Sequence, residues 1–254
     1  MRIRISVERS TIIQILLLKE LVARMQRDER RFKSVRDALK DLDAQSRNFR
    51  AYRRRKRNKT VASLAPKTNL QMTAFSDCYV LSETSPAWHV VAAVQALGSR
   101  FLRYGILTRG SVVVGPAYHN GRVLFGPGIV DAYELESRMA FYPRILVSED
   151  VRNAVWGYHE GSWQGQLLKR DHDGWWFINL LVPCSSSWTL LSDPRAPKDI
   201  RSHLEQVRRA LLVAQKVAQD NPSHAAKVTW LVHQYNEVAP QHNLRVMLYA
   251  NRAG

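Results

Sequence analysis

A tight-turn signal near the middle of the chain constrains the fold most. Val112 to Ala117 is a run of strand formers, Asn120-Gly121 is a dipeptide favoured in hairpin turns, and Arg122 to Phe125 returns. Gly126-Pro127-Gly128 then breaks the strand. A second signal of this kind is Asp173-Gly174, between Leu167-Leu168 and Trp175 to Leu181. Helical patterns are interleaved with these hairpins. Leu18, Leu21, Val22 and Met25, then Phe32, Val35, Leu39 and Leu42, mark one apolar face over residues 18 to 43. Trp88 to Tyr104 and Ile129 to Met139 read as two more helices, and residues 70 to 83 and Arg144 to Val147 as strands. Antiparallel hairpins mixed with helices point to an α+β fold.

The 254 residues allow one large domain, or a domain with an appendage. Pro183 begins a stretch with three consecutive serines that runs through Pro197. We therefore expect a domain over residues 1–182, a linker at 183–198 and a helical extension over 199–254. The helices Ile200 to Gln219 and Ala225 to Val238 would form that extension. Hydrophobic content of 45% and charged content of 24% exclude disorder throughout. No run approaches the roughly 18 apolar residues of a membrane span. Two cysteines, Cys78 and Cys184, cannot make a disulfide scaffold or a four-thiolate zinc site. Ile12 to Leu18 is apolar after a basic start, but it runs into Lys19-Glu20 without a small-residue cleavage site, so the chain reads as cytoplasmic. The net charge of +16 favours an anionic partner.

Asp77 is the chemically conspicuous residue. It follows Phe75 and Ser76 and precedes Cys78, Tyr79, Val80 and Leu81. A carboxylate in an apolar strand is costly unless it is paired, hydrogen-bonded or bound to a metal. Its two readings are a strand-end residue holding a turn or an arginine, and a ligand for a hard cation.

The stretch Ala74-Phe75-Ser76-Asp77-Cys78-Tyr79-Val80-Leu81-Ser82 resembles the second metal-aspartate segment of class III nucleotidyl cyclases. Arg109 to Gly115 and His119 to Pro127 are similar to the family's next hairpin. Ile129 to Glu136 is similar to the helix bearing its transition-state residues, and Tyr142 to Ser148 to the strand that follows. More narrowly, the set resembles bacterial cyclases of antiphage Pycsar systems, which make cyclic pyrimidine nucleotides. The resemblance covers roughly residues 11 to 182. It implies a cyclase-like sheet with flanking helices, a head-to-tail homodimer, and a nucleoside triphosphate cyclised with two Mg²⁺ or Mn²⁺ ions. It makes Asp77 the metal ligand, Asp131 the replacement for the transition-state Asn, and Arg138 the substitute for the transition-state Arg. Lys169 would bind phosphate, with Arg170 beside it. Arg109 would reach phosphate or a carboxylate, and Gly126 would border the substrate.

The same comparison exposes departures. Gln14 falls where the family has its first metal Asp, and Leu17-Leu18 where it has Gly-Phe. Either the metal site is impaired or the N-terminus is not the native one. Thr73 and Val123 fall at the purine-reading positions, and neither makes charged contacts. Leu135 occupies the position of the transition-state Arg. Two other readings stand beside the cyclase. One is a nucleotide-binding or structural homologue without turnover. The other is a nucleic-acid-binding protein using the basic loop at 44–68, where Arg47 to Lys59 holds eight basic residues, although a solvated insertion explains that run more simply. His119 reads as a turn residue beside Asn120-Gly121.

Overall fold

The computed structural model describes residues 11–17, 36–37, 40, 71–75, 78–84, 87–120, 123–156, 167–183 and 197–249. The basic loop at 44–68, nearly all of the expected helix over 18–43, and most of the linker lie outside them. The fold is mixed α+β. Its strands are β1 (Thr11–Leu17), β2 (Gln71–Phe75), β3 (Cys78–Glu83), β4 (Arg109–Gly115), β5 (Tyr118–Asn120), β6 (Val123–Phe125), β7 (Ile145–Val147), β8 (Leu168–Arg170) and β9 (Trp176–Ile178). Its α-helices are α1 (Ala87–Arg103), α2 (Pro127–Met139), α3 (Glu149–Trp156), α4 (Ile200–Ala218) and α5 (Pro222–Val238), with a final 3₁₀ turn at Ala239–His242. No helix among the described residues is long and apolar enough to cross a membrane.

Seven strands form one sheet in the order β2-β3-β1-β4-β7-β9-β8. Only β4 and β7 run parallel, and α2 lies in the connection between them. The centre of the sheet is buried on both faces, and the two-residue period of the strands shows it. Tyr79, Leu81 and Val112 enter the large core under α1, while Cys78, Val80 and Val113 enter a smaller cluster with Ala132 of α2. Residues 90 to 102 of α1 are buried on every side, because α3, α4 and two strands surround that helix. Two of its polar interior residues bond to the segment after β9: Gln95 donates to the Asn179 carbonyl at 2.7 Å and Ser99 to that of Leu180 at 3.0 Å.

Two strand expectations need correction. The segment 70–83 is two antiparallel strands, β2 and β3, with Phe75 paired to Cys78. It looks continuous in sequence because both strands are apolar and only two residues separate them. The central hairpin is also displaced. β4 ends at Gly115, and the paired arms are the short β5 and β6, which form a separate ribbon. Pro116 has no N–H to continue the ladder. The ribbon is closed by Tyr118 stacking on Phe125 with ring centroids 5.2 Å apart.

The C-terminal helices begin with side-chain caps. Asp199 accepts from the Ser202 backbone N–H at 2.7 Å, and its own N–H donates to the Ser202 hydroxyl at 3.2 Å. Asn221 caps α5, with Pro222 in its first turn. His203, Leu204, Val207 and Leu211 are the buried stripe of α4.

Candidate functional site

One end of the sheet gathers three strand ends. Leu17 of β1 is paired with Cys78 of β3 on one side and with Arg109 of β4 on the other. Asp77, the expected metal ligand, lies outside the described residues, next in sequence to Cys78. Gln14 pairs with Leu81 and Val112 in mid-sheet, three residues back along β1, or about 10 Å. The β1 residue beside Cys78 is therefore an apolar leucine with no oxygen to offer a cation.

Arg109 takes the carboxylate option. Its Nε makes an ion pair with Glu136, a fully buried residue of α2. A buried carboxylate needs such a partner, so the pair also holds α2 onto β4. At the other end of that strand, α2 approaches very closely. A Cβ on Gly115 would lie 2.8 Å from the Gly128 Cα, too close for any side chain at position 115 without a backbone shift. Gly126 has φ near +136°, and a Cβ there would lie 2.7 Å from the Pro116 carbonyl oxygen. Both steric demands fix Gly126 as glycine, independently of any substrate.

The other expected site residues are spread out. Asp131 is exposed on α2 and lies near Gly115, six residues and about 20 Å of strand from Arg109. Arg138 is exposed and paired with Glu134 at 3.4 Å, a helical i,i+4 pair. Lys169, on the edge strand β8, donates to Gln234 Oε1 at 2.6 Å and pairs with Glu237, both on α5. Lys169 stands five strand spacings from β3, about 24 Å.

For a divalent cation, the sequence offers Asp77 at this end of the sheet and no carboxylate on β1. Among the described residues, no three His, Cys, Asp or Glu side chains converge as a metal site. Mg²⁺ is commonly held by one or two carboxylates, water and substrate phosphates. One ion arriving with a polyphosphate fits this donor set; a second has no evident protein ligand.

His119 is not a simple turn residue. It is buried, and both ring nitrogens are engaged: Nδ1 lies 2.6 Å from the Ser82 hydroxyl and Nε2 lies 2.8 Å from that of Thr73. In the neutral ring one nitrogen donates and the other accepts, and the two hydroxyls take the complementary roles. Gln71 adds a side-chain bond to the His119 carbonyl. This cluster ties the β5–β6 ribbon to the β2–β3 pair, and it includes Thr73, one of the positions expected to read a base. Sequence gave no signal for it, because the three residues come from segments up to 46 positions apart.

Arg144 is the second residue missed. It is fully buried, pairs with Asp171 and Asp173, and lies 5.5 Å from the Tyr142 ring centroid and 6.0 Å from that of Trp230. The Arg144 guanidinium holds the Asp173 carboxyl below its ordinary value of 3.8. Its only sequence signal is a charged residue opening the apolar strand Ile145–Val147.

Compared with known proteins, the chain matches no family model, and no curated protein matches it.

Proposed function

We propose that this chain is a class III-type nucleotidyl cyclase that converts a nucleoside triphosphate to a 3′,5′-cyclic nucleotide and pyrophosphate. The observation that carries this reading is the order of the sheet. The β2–β3 pair, the central β1 and the β4–α2–β7 crossover lie side by side in one mixed sheet, and this supports reading the chain as cyclase-like. The separation of β3, which follows Asp77 in sequence, from Lys169 supports a head-to-tail homodimer, in which one copy would supply Asp77 and its partner Asp131, Arg138 and Lys169.

In this reaction the ribose 3′-oxygen attacks the α-phosphorus. The bond from that phosphorus to the bridging oxygen breaks, pyrophosphate leaves with the electron pair, and the hydroxyl proton passes to solvent. Asp77 would hold one Mg²⁺ or Mn²⁺ together with phosphate oxygens, and the ion would neutralise phosphate charge. Lys169 would contact phosphate after release from Glu237. Gly126 and the Arg109–Glu136 pair set the position of α2, and so of Asp131. Thr73 and Val123 carry no charge, which favours CTP or UTP over a purine read by charged groups. The narrower resemblance would make the product an antiphage signal.

A second reading is a cyclase-like protein that binds triphosphate without turnover. Leu17 favours it, because β1 places no carboxylate beside the Asp77 hairpin. One assay separates the two. The chain is incubated with ATP, GTP, CTP or UTP and Mn²⁺ or Mg²⁺, and products are resolved by mass spectrometry beside an Asp77→Asn control. A cyclic product lost in the control supports the cyclase. Triphosphate binding without product favours the second reading, and neither binding nor product refutes both.

A further inference from the structure

A cleft of about 710 Å³ opens between the C-terminal end of α1 and the first half of α4. Arg103 and Tyr104 line it from the α1 side; Lys198, Gln206 and Arg209 line it from the α4 side. Three of its lining residues are cationic and none is acidic. The two nearest acids on α4 have other partners. Asp199 is held by the Ser202 backbone N–H, and Glu205 pairs with Arg201 at 3.3 Å. Ser202, Gln206 and Arg209 recur at helical spacing, so α4 presents them on one face, and Lys198 lies just before the Asp199 cap.

The cleft is also braced. Arg103 Nη1 donates to His203 Nδ1 at 3.4 Å, and His203 Nε2 donates to the Leu180 carbonyl at 2.9 Å. His203 is buried and neutral, so this contact orients the guanidinium without cancelling its charge. Arg209 Nε donates to the Glu205 carbonyl at 3.3 Å, which fixes that side chain along the helix. Clustered positive charge with neutral hydrogen-bond donors, in a concave site, suits a multiply charged oxyanion.

We propose that this cleft binds a phosphorylated small molecule: a pyrophosphate or the phosphate chain of a nucleotide. The cleft volume accommodates such a ligand, and cations on both walls allow it to bridge α1 and α4. The site is separate from the Asp77 hairpin and does not depend on the cyclase reading.

Calorimetric titration of the full chain with pyrophosphate, ATP and inorganic phosphate tests the assignment. Lys198→Glu and Arg209→Glu, both at exposed positions, should each weaken pyrophosphate binding about tenfold or more. Arg245→Glu, at an exposed position outside the cleft, should leave this binding within about twofold. Thermal unfolding of each variant controls for folding. No measurable pyrophosphate or ATP binding would overturn the proposal. So would equal loss in Arg245→Glu, which would mean general surface charge. Tight binding of a single-stranded oligonucleotide with none of pyrophosphate would overturn it in favour of nucleic acid.

Discussion

Arg144 and Trp230 share one acceptor: the Asp171 carboxylate pairs with the guanidinium and also accepts from the indole Nε1–H at 3.1 Å. The Trp230 ring further stacks on Tyr142 with centroids 5.6 Å apart and an interplanar angle of 8°. Arg144 opens β7, Asp171 follows β8, and Trp230 is on α5. The cluster therefore fastens the C-terminal helices to the sheet through buried charge as well as apolar contact. Buried charge of this kind gives little net stability while intact, but removing one partner strands the other.

Arg144→Met should accordingly cost about 3–5 kcal/mol in urea unfolding, because Asp171 would be left buried without its cation. Trp230→Phe keeps most of the ring and loses one donor, and should cost about 1–2 kcal/mol. Equal small losses in both would show that the carboxylate is hydrated and the cluster unimportant.

The His119 cluster gives a second stability test. His119→Ala removes both hydroxyl contacts and leaves Thr73 and Ser82 to find new partners in a buried setting. A loss of about 2–3 kcal/mol is expected. His119→Asn, which keeps one donor and one acceptor, should recover part of it. If the β5–β6 ribbon were held only by Tyr118 and Phe125, both substitutions would be neutral.

His203 makes the fold sensitive to acid. Burial strips the imidazolium of water and Arg103 repels it, so its pKa falls from 6.5 to about 3. The unfolded chain then binds a proton near pH 6.5 that the folded chain refuses until about pH 3. Stability from this group is complete above 6.5 and declines as pH falls towards 3. Between pH 7.5 and 5 the decline should be about 2 kcal/mol. Urea unfolding of the wild type and His203→Gln at both pH values isolates it, since carboxylate contributions are common to both. Identical pH dependence in the two would mean that His203 titrates normally.

Four of the five described α-helices are readable from their apolar periods; α3 (Glu149–Trp156) is not, because eight residues are too few to show one. Ile200 to Gln219 was expected as a helix and Ile200–Ala218 is observed; α2 begins two residues earlier than expected, at Pro127. Strand boundaries were harder. The break between Phe75 and Cys78 is marked only by Ser76-Asp77, a polar pair that also suits a site within one strand, and β5 and β6 are too short to carry a period. The site was least legible. Leu17 faces both Cys78 and Arg109 only through strand register, and the Arg109–Glu136 pair requires the crossover to fold α2 back on β4. Local sequence carries residue types, whereas these relations are set by long-range pairing.

Lys169 is where the cyclase proposal meets the fold most directly. Its ion pair with Glu237 is half-exposed, so breaking it should cost less than about 1 kcal/mol. Lys169→Met and Glu237→Gln remove the same pair, but only the first removes a phosphate-binding cation. Turnover should fall about tenfold or more in Lys169→Met and stay near wild type in Glu237→Gln. Because Lys169 is about 24 Å across the sheet from β3, which follows Asp77 in sequence, a composite site also predicts complementation. Asp77→Asn and Lys169→Met would each have little activity alone. Mixed as equal subunits, half the dimers would pair one variant with the other, and each would hold one intact site of two. About a quarter of wild-type activity should return. Failure to recover any activity from a confirmed heterodimer would place both residues in the same copy's site, or neither in a site at all.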